Sequence, residues 1–338
     1  MPERGRGAAP EDGEAPDAET ASDPDPAPDG GVVVDGATAA PRTDATAEAT
    51  ETGTETADET ATDAEGISVP LPRPGIVLRI ARRETRLTAR RGWAVALTVV
   101  FAAFGLLLAT FSGSSVAPTG YEPVVASYVE LATYLVPLAA LAFGHGAIVG
   151  AAERGRLGVV LTLPVSRVET AIGVYAGRAA VLASSVVVGF GVPGLLLLRE
   201  FGLAGWPTFA WFLFATVAVA VALLGLGVAI SAVAPTSTVA LAGALLVWAW
   251  FALVHDLLAL GVLAALDGAG RFVAVAVAAN PVSTYRLLAL APTDAGGAGL
   301  AAALDGSGLS VGALVAVLLG WVAVATGVAA AALRSKRT

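Results

Sequence analysis

Six stretches of this chain, at about 93–112, 125–150, 175–198, 208–233, 240–265 and 311–333, are each apolar over roughly the 20 residues that a helix needs to cross hydrocarbon. Hydrocarbon offers no water to backbone N–H and C=O groups, so a spanning segment is a helix or part of a closed barrel. Continuous apolar runs, without the alternation of a barrel strand, predict helices. The expected fold is therefore an all-α integral membrane protein with six transmembrane helices. The composition agrees: 56% of residues are hydrophobic and 14% are charged.

Those charges are unevenly placed. Residues 1–72 hold 18 Asp and Glu against 3 Arg, whereas residues 73–338 hold 10 acidic against 17 basic residues. The first segment is rich in Ala, Thr, Pro and Gly, with almost nothing to bury, and is expected to be a disordered acidic tail on the cytoplasmic side. Heavy Asp and Glu with a single lysine suits the high-salt cytoplasm of a haloarchaeon. The six-span domain is expected over 73–338.

The loops fall into two sets. One carries Arg79 to Arg91, then Arg154, Arg156 and Arg167, then Arg334, Lys336 and Arg337; the other carries Glu122, Arg199 with Glu200, and the polar residues between the last two spans. The basic excess places the first set, with both termini, in the cytoplasm of a multi-pass plasma-membrane protein. Pro74 to Arg91 reads as a helix with Arg79, Arg82, Arg83, Arg86 and Arg90 on one face and Ile76, Ile80 and Leu87 on the other. A basic amphipathic helix at that place is expected to lie on the anionic leaflet as an interfacial elbow. Between spans five and six, Phe272–Ala279 and Val282–Leu290 flank Asn280-Pro281. Each is too short to cross, which predicts a re-entrant hairpin at the outer face, followed by a Gly-rich loop at 295–308.

The only sizeable polar island between spans on the basic side is Ala151–Thr170, AAERGRLGVVLTLPVSRVET. Its charges exclude it from hydrocarbon, its middle is apolar, and Pro164 ends whatever helix precedes it. An apolar knob rimmed by arginines is the form of a docking surface.

No enzyme constellation stands out. There is no cysteine and Met1 is the only methionine, which removes disulfides and thiolate or thioether metal sites. The sole lysine, Lys336, follows no Gly-rich run, so the chain has no Walker A loop. His145 falls about 30 Å into an inward-running span and His255 about 23 Å into an outward-running one, so they lie at different depths and no metal site is expected. Glu130, His255 and Asp256 share an outer depth and are candidates for a translocation path or outer vestibule, since ionisable residues inside a membrane are costly to leave facing lipid. Small-residue spacing at Gly144, Gly146, Gly150, Gly189, Gly191 and Gly194 permits close helix approach, and Pro137 and Pro193 are expected to kink their spans.

The island and its flanks resemble the first cytoplasmic loop of permease subunits of ATP-binding-cassette type-2 exporters. That loop reads acidic-x-Gly-x-Leu, a leucine-rich stretch, then Pro-hydrophobic-Ser-Arg and a Gly-containing span start. The matching residues are Glu153, Gly155, Leu157, Leu161, Leu163, Pro164, Val165, Ser166 and Arg167, with Gly173 and Gly177. Arg154 lies within the same pattern. Asn280-Pro281-Val282 with Tyr285 and Arg286 is similar to an element of the NosY-like members, which serve nitrous oxide reductase maturation. The resemblance implies a non-catalytic subunit with no cofactor of its own. ATP and magnesium would be held by a partner ATPase docked on 151–170. A second permease copy and an extracytoplasmic partner protein would complete the assembly, in the bilayer and without nucleic acid. Direct copper(I) passage would lack soft ligands here. Two other readings compete. A protease-like intramembrane enzyme would need paired catalytic groups, and only Glu130, His255 and Asp256 come near. A non-transporting membrane scaffold would leave the pattern at 151–170 unexplained.

Overall fold

The computed structural model describes residues 72–111, 121–155, 166–265, 270–293 and 310–335. The expected acidic tail and the Gly-rich loop lie outside the described residues, as do Leu157, Leu163, Pro164 and Val165 of the polar island. Among the described residues there are helices and no strand. They are α1 (Pro74–Arg90), α2 (Trp93–Phe111), α3 (Tyr121–Gly144), α4 (Val149–Glu153), α5 (Arg167–Phe201), α6 (Trp206–Val233), α7 (Ser237–Ala249), α8 (His255–Ala265), α9 (Gly270–Ala279), α10 (Pro281–Leu290) and α11 (Val311–Ser335). A π-helical turn, Trp250–Val254, joins α7 to α8. Six helical stretches among these residues are long and apolar enough to cross a membrane: Trp93–Phe111, Tyr121–Glu153, Arg167–Phe201, Leu203–Val233, Ser237–Ala259 and Val311–Arg334.

The centre of the bundle is α6, the most buried of the six, which packs against α3, α5, α10 and α11. Hydrophobicity alone does not drive helices together in lipid, so close packing must. It is visible in two places. Gly144 of α3 and Gly227 of α6 meet backbone to backbone: a Cβ on Gly144 would stand 2.8 Å from the Gly227 Cα. Farther along the bundle an aromatic cluster of Tyr128, Phe190, Phe209 and Phe212 joins α3, α5 and α6, with Phe101 of α2 stacked on Phe190. The Tyr128 hydroxyl, buried among these rings, donates to the Gly105 carbonyl of α2 at 2.7 Å. Gly189 and Gly194 each admit a phenylalanine, Phe101 and Phe209. Gly146 and Gly191 face open space and Gly150 meets only the Arg154 side chain, so the expected role in close approach holds for Gly144, Gly189 and Gly194 and not for these three. Neither Pro137 nor Pro193 ends its helix; both lie inside α3 and α5.

The elbow helix forms as expected, with Pro74 at its first turn and Arg79, Arg82, Arg83, Arg86 and Arg90 exposed. Part of its other face is taken up by protein. Ile80 lies over Gly173, and the Ala81 backbone and Glu84 side chain lie over Gly177, so α1 is pressed against the first turns of α5. The Thr85 hydroxyl donates to the Gly177 carbonyl at 3.1 Å.

Two expected boundaries need correction. The third span starts at Arg167, not near 175, because Ser166 and Glu169 form a capping box that fixes the helix start. The last four residues of the polar island, 167–170, are thus the first turn of a 35-residue helix. The second span ends its long helix at Gly144 and turns before α4. The buried Ser231 hydroxyl of α6 accepts the backbone N–H groups of Ile148 and Val149 at the start of α4, at 2.9 and 3.1 Å.

The stretch between spans five and six is a helical hairpin, α9–α10, of ten residues per arm. At 1.5 Å per residue each arm is about 15 Å long, half a hydrocarbon core, as predicted for a segment that enters without crossing. Asn280 makes its corner. Its Oδ1 accepts the Val282 N–H at 2.9 Å, and its Nδ2 donates to the Phe251 carbonyl in the π turn, also at 2.9 Å. Trp321 of α11 donates to the Ala279 carbonyl at 2.9 Å and Trp211 of α6 to the Leu288 carbonyl at 2.6 Å. Replacing Asn280 with alanine removes a cap and leaves one buried and one part-buried backbone group without this partner. A loss of about 1–2 kcal/mol is expected, read as a lower midpoint of thermal denaturation in detergent.

Candidate functional site

The polar side chains gather in two places. The first is the end of the bundle where α1 lies. There Gly155 closes α4 with φ of 65°, a conformation glycine adopts without strain. Glu153, two residues earlier, reaches across to α7: its Oε1 accepts the Ser237 N–H at 2.7 Å, satisfying a free donor at that helix start. On the other side of residues 156–165, Ser166 caps α5, and Glu169 accepts the N–H of Ser166 at 2.8 Å and of Arg73 at 2.9 Å. The Arg167 guanidinium donates to the carbonyls of Leu333 and Arg334, at 2.6 and 3.1 Å, where the last turn of α11 leaves acceptors free. Glu153, expected in the coupling loop, and Arg167, expected on the rim of a docking surface, therefore act first as clasps. Arg154 is exposed beside them.

Sequence reasoning missed a further part of this end. Arg178 of α5, almost fully buried, pairs with Glu84 of α1 (Nε to Oε1, 3.1 Å), donates to the Phe143 carbonyl of α3 at 2.5 Å and lies over the Phe143 ring. One guanidinium thus joins α1, α3 and α5. The available signal was an arginine a few residues inside an expected span, facing a basic helix that carries one glutamate. His145 lies at the same end, its Nδ1 against the Ala142 carbonyl.

The second place is in the opposite half. Glu130 of α3, His255 and Asp256 of α8 were expected at one depth, and Arg286 of α10 was known only as part of a sequence element. The structure brings all four together. Arg286 stands between the carboxylates, with its NH1 nitrogen 3.1 Å from Asp256 Oδ2 and its Nε 3.3 Å from Glu130 Oε1. The second contact is within ion-pair range but is not aligned as a hydrogen bond. Ser283 donates to Asp256 Oδ1 at 2.5 Å, and His255 Nδ1 lies 3.4 Å from the same oxygen. Arg286, Asp256 and His255 are about one-fifth exposed, whereas 54% of the Glu130 side chain is open. Tyr285, next in chain to Arg286, points the other way, into the core, with its hydroxyl 3.2 Å from that of Thr216. Chemically, this is a charge network that ties the hairpin to α3 and α8. A catalytic carboxylate pair sharing a proton would require Glu130 and Asp256 to face one another, and Arg286 separates them.

Residues 78–337 match the model of the ABC-2 family transporter protein. The chain is 31% identical over 274 residues to a probable ABC transporter permease protein NosY of Stutzerimonas stutzeri, covering 78% of this chain and 99% of the relative. It is also 31% identical over 235 residues to the probable NosY permease of Pseudomonas aeruginosa, covering 66% of this chain and 85% of the relative.

Proposed function

Because the chain belongs to the ABC-2 family of transporter permeases, we propose that it converts ATP hydrolysis in a separate ATPase subunit into movement of its own membrane helices. ATP and magnesium are bound by that subunit. The supporting observation is the frame around residues 156–165. The segment leaves α4 beside a clasp to α7 and enters α5 beside clasps to α1 and α11, so a partner seated on it grips five elements together. Leu157, Leu163, Pro164 and Val165 provide the apolar contact, with Arg154 at the edge. The basic excess at this end supports a cytoplasmic position for it, with both termini and the acidic segment 1–72 on the same side of the membrane. The exposed arginines of α1 meet the anionic lipid surface. One six-span chain is half of an alternating-access machine, so two copies act together.

The likeness to the NosY permeases extends the reading to nitrous oxide reductase maturation, with an extracytoplasmic protein as the recipient of cargo or mechanical work. Without cysteine or an internal methionine, the chain offers copper(I) no thiolate or thioether ligand, which argues against direct copper(I) passage through this subunit.

The test is co-purification of the ATPase with the tagged chain from membranes. Leu157→Asp/Leu163→Asp is expected to abolish the association and the accompanying ATP hydrolysis, with the permease still inserted at its normal level. Undiminished ATPase capture by that variant would sink the coupling role of the segment.

A further inference from the structure

The first and third spans, α2 and α5, run in the same direction and touch along most of α2. The Ser185 hydroxyl donates to the Ala94 carbonyl at 3.2 Å. A Cβ on Gly189 would stand 2.6 Å from the Phe101 Cβ, and one on Gly105 would stand 2.7 Å from the Pro193 Cγ. One turn farther the two helices part. Ala109, Thr110, Leu196, Arg199 and Glu200 line an open cleft of about 430 Å³ at that end of α2 and α5. The surface of α5 leading to it is apolar: Val188, Val192 and Leu196 recur at helical spacing and are exposed. Arg199 and Glu200 continue that face and are exposed as well. Val188 to Arg199 is a rise of about 16 Å, the hydrocarbon depth of one leaflet. Among the described residues neither charged side chain has an ion-pair partner.

We propose that this cleft binds one phospholipid of the adjacent leaflet. Its phosphate lies on Arg199, a hydroxyl or ammonium of its headgroup on Glu200, and an acyl chain along Val188, Val192 and Leu196. A guanidinium gives phosphate charge-assisted hydrogen bonds. The neighbouring carboxylate repels a second anionic group but accepts from a donor a few atoms beyond the phosphate, as in a phosphoglycerol or phosphoethanolamine headgroup. Adjacent charges of opposite sign therefore select a headgroup that carries both parts. The small Ala109 side chain leaves room for it between the helices. This inference goes beyond the coupling role and needs only that the chain spans a bilayer. A lipid seated here fills the space into which the far ends of α2 and α5 would otherwise close.

Native mass spectrometry of the full-length chain in mild detergent, with added phosphatidylglycerol, counts the bound lipids. The wild type is expected to hold one molecule more tightly than any that follow. Arg199→Gln is expected to weaken that first site about tenfold, as loss of a charge-assisted hydrogen bond implies. Ala109→Phe, which fills the cleft, is expected to abolish it, and Arg79→Gln on the elbow helix to leave it unchanged. Diacylglycerol, with the same tails and no phosphate, should not compete. Phosphatidylethanolamine should compete, and phosphatidylcholine, whose headgroup has no donor, should do so severalfold less well. An unchanged first site in Arg199→Gln, or equal competition by diacylglycerol, would mean ordinary boundary lipid and overturn the proposal. Displacement of the lipid by millimolar inorganic phosphate would overturn it too, since the site would then be one for a free anion. Should Ala109→Phe fail to assemble, the surface change Arg199→Gln still decides. No arm uses the ATPase, so failure here is separable from failure of the coupling role.

Discussion

Gly227→Leu is expected to yield a permease that inserts into the membrane but cannot be recovered as a folded, monodisperse species. A Cβ at position 227 would stand 3.0 Å from the Gly144 Cα and 3.0 Å from the Leu141 carbonyl oxygen. Both are backbone atoms of α3 and have no rotamer by which to withdraw. The helices must separate, and separation at this point also loosens Ser231, one turn farther along α6, from the N–H groups of Ile148 and Val149. Overpacking a well-fitted site costs about 1–3 kcal/mol where side chains give way, and more is expected where backbone must. The measurement is the fraction eluting as a single species in size-exclusion chromatography of a fluorescent fusion. Gly146→Ala and Gly191→Ala, at positions with open space around them, should behave as wild type. If Gly227→Leu also does so, the close crossing is not what holds α3 to α6.

Arg286→Met carries the second large expected effect. Removing the guanidinium leaves Asp256, about one-fifth exposed, without its cation, whereas Glu130 is already more than half open to water. Breaking a fully buried pair from one side costs about 3–5 kcal/mol, and a smaller cost is expected for this part-buried one. The loss is expected to be smaller in Arg286→Met/Asp256→Asn, because the second change removes the stranded charge and keeps an acceptor for Ser283. Thermal denaturation midpoints of the wild type, both single variants and the double variant form a cycle. An Asp256→Asn change with the same effect in the wild type and in Arg286→Met would mean that Asp256 and Arg286 are not energetically coupled.

The legible part of this molecule was what the bilayer dictates. Length and apolarity exposed six spans, basic residues exposed the elbow helix, and two half-length runs around Asn280-Pro281 exposed the hairpin. Boundaries were less legible where polar residues continue a helix beyond the apolar run. Arg167 and Glu169 looked like loop residues because hydropathy does not register a capping box, although the spacing of Ser166 and Glu169 is its signature. The site was legible by depth and not by partner. Glu130, His255 and Asp256 could be aligned by counting rise along helices, but Arg286 comes from a hairpin whose docking angle no periodicity specifies. Arg178 and Glu84 were missed for a related reason: a buried ion pair between elements 94 residues apart has no local pattern.

The length of α5 gives its anchoring a mechanical meaning. A straight helix of 35 residues is about 52 Å long, of which about 34 Å lies beyond Arg178, so a tilt of about 5° about Arg178 displaces the far end by about 3 Å. The fulcrum is where Arg178 pins it to α1 and α3, about three turns from the Ser166 end. Small strokes near the capping box are thereby magnified at the far side of the bundle, with no need for α5 itself to bend.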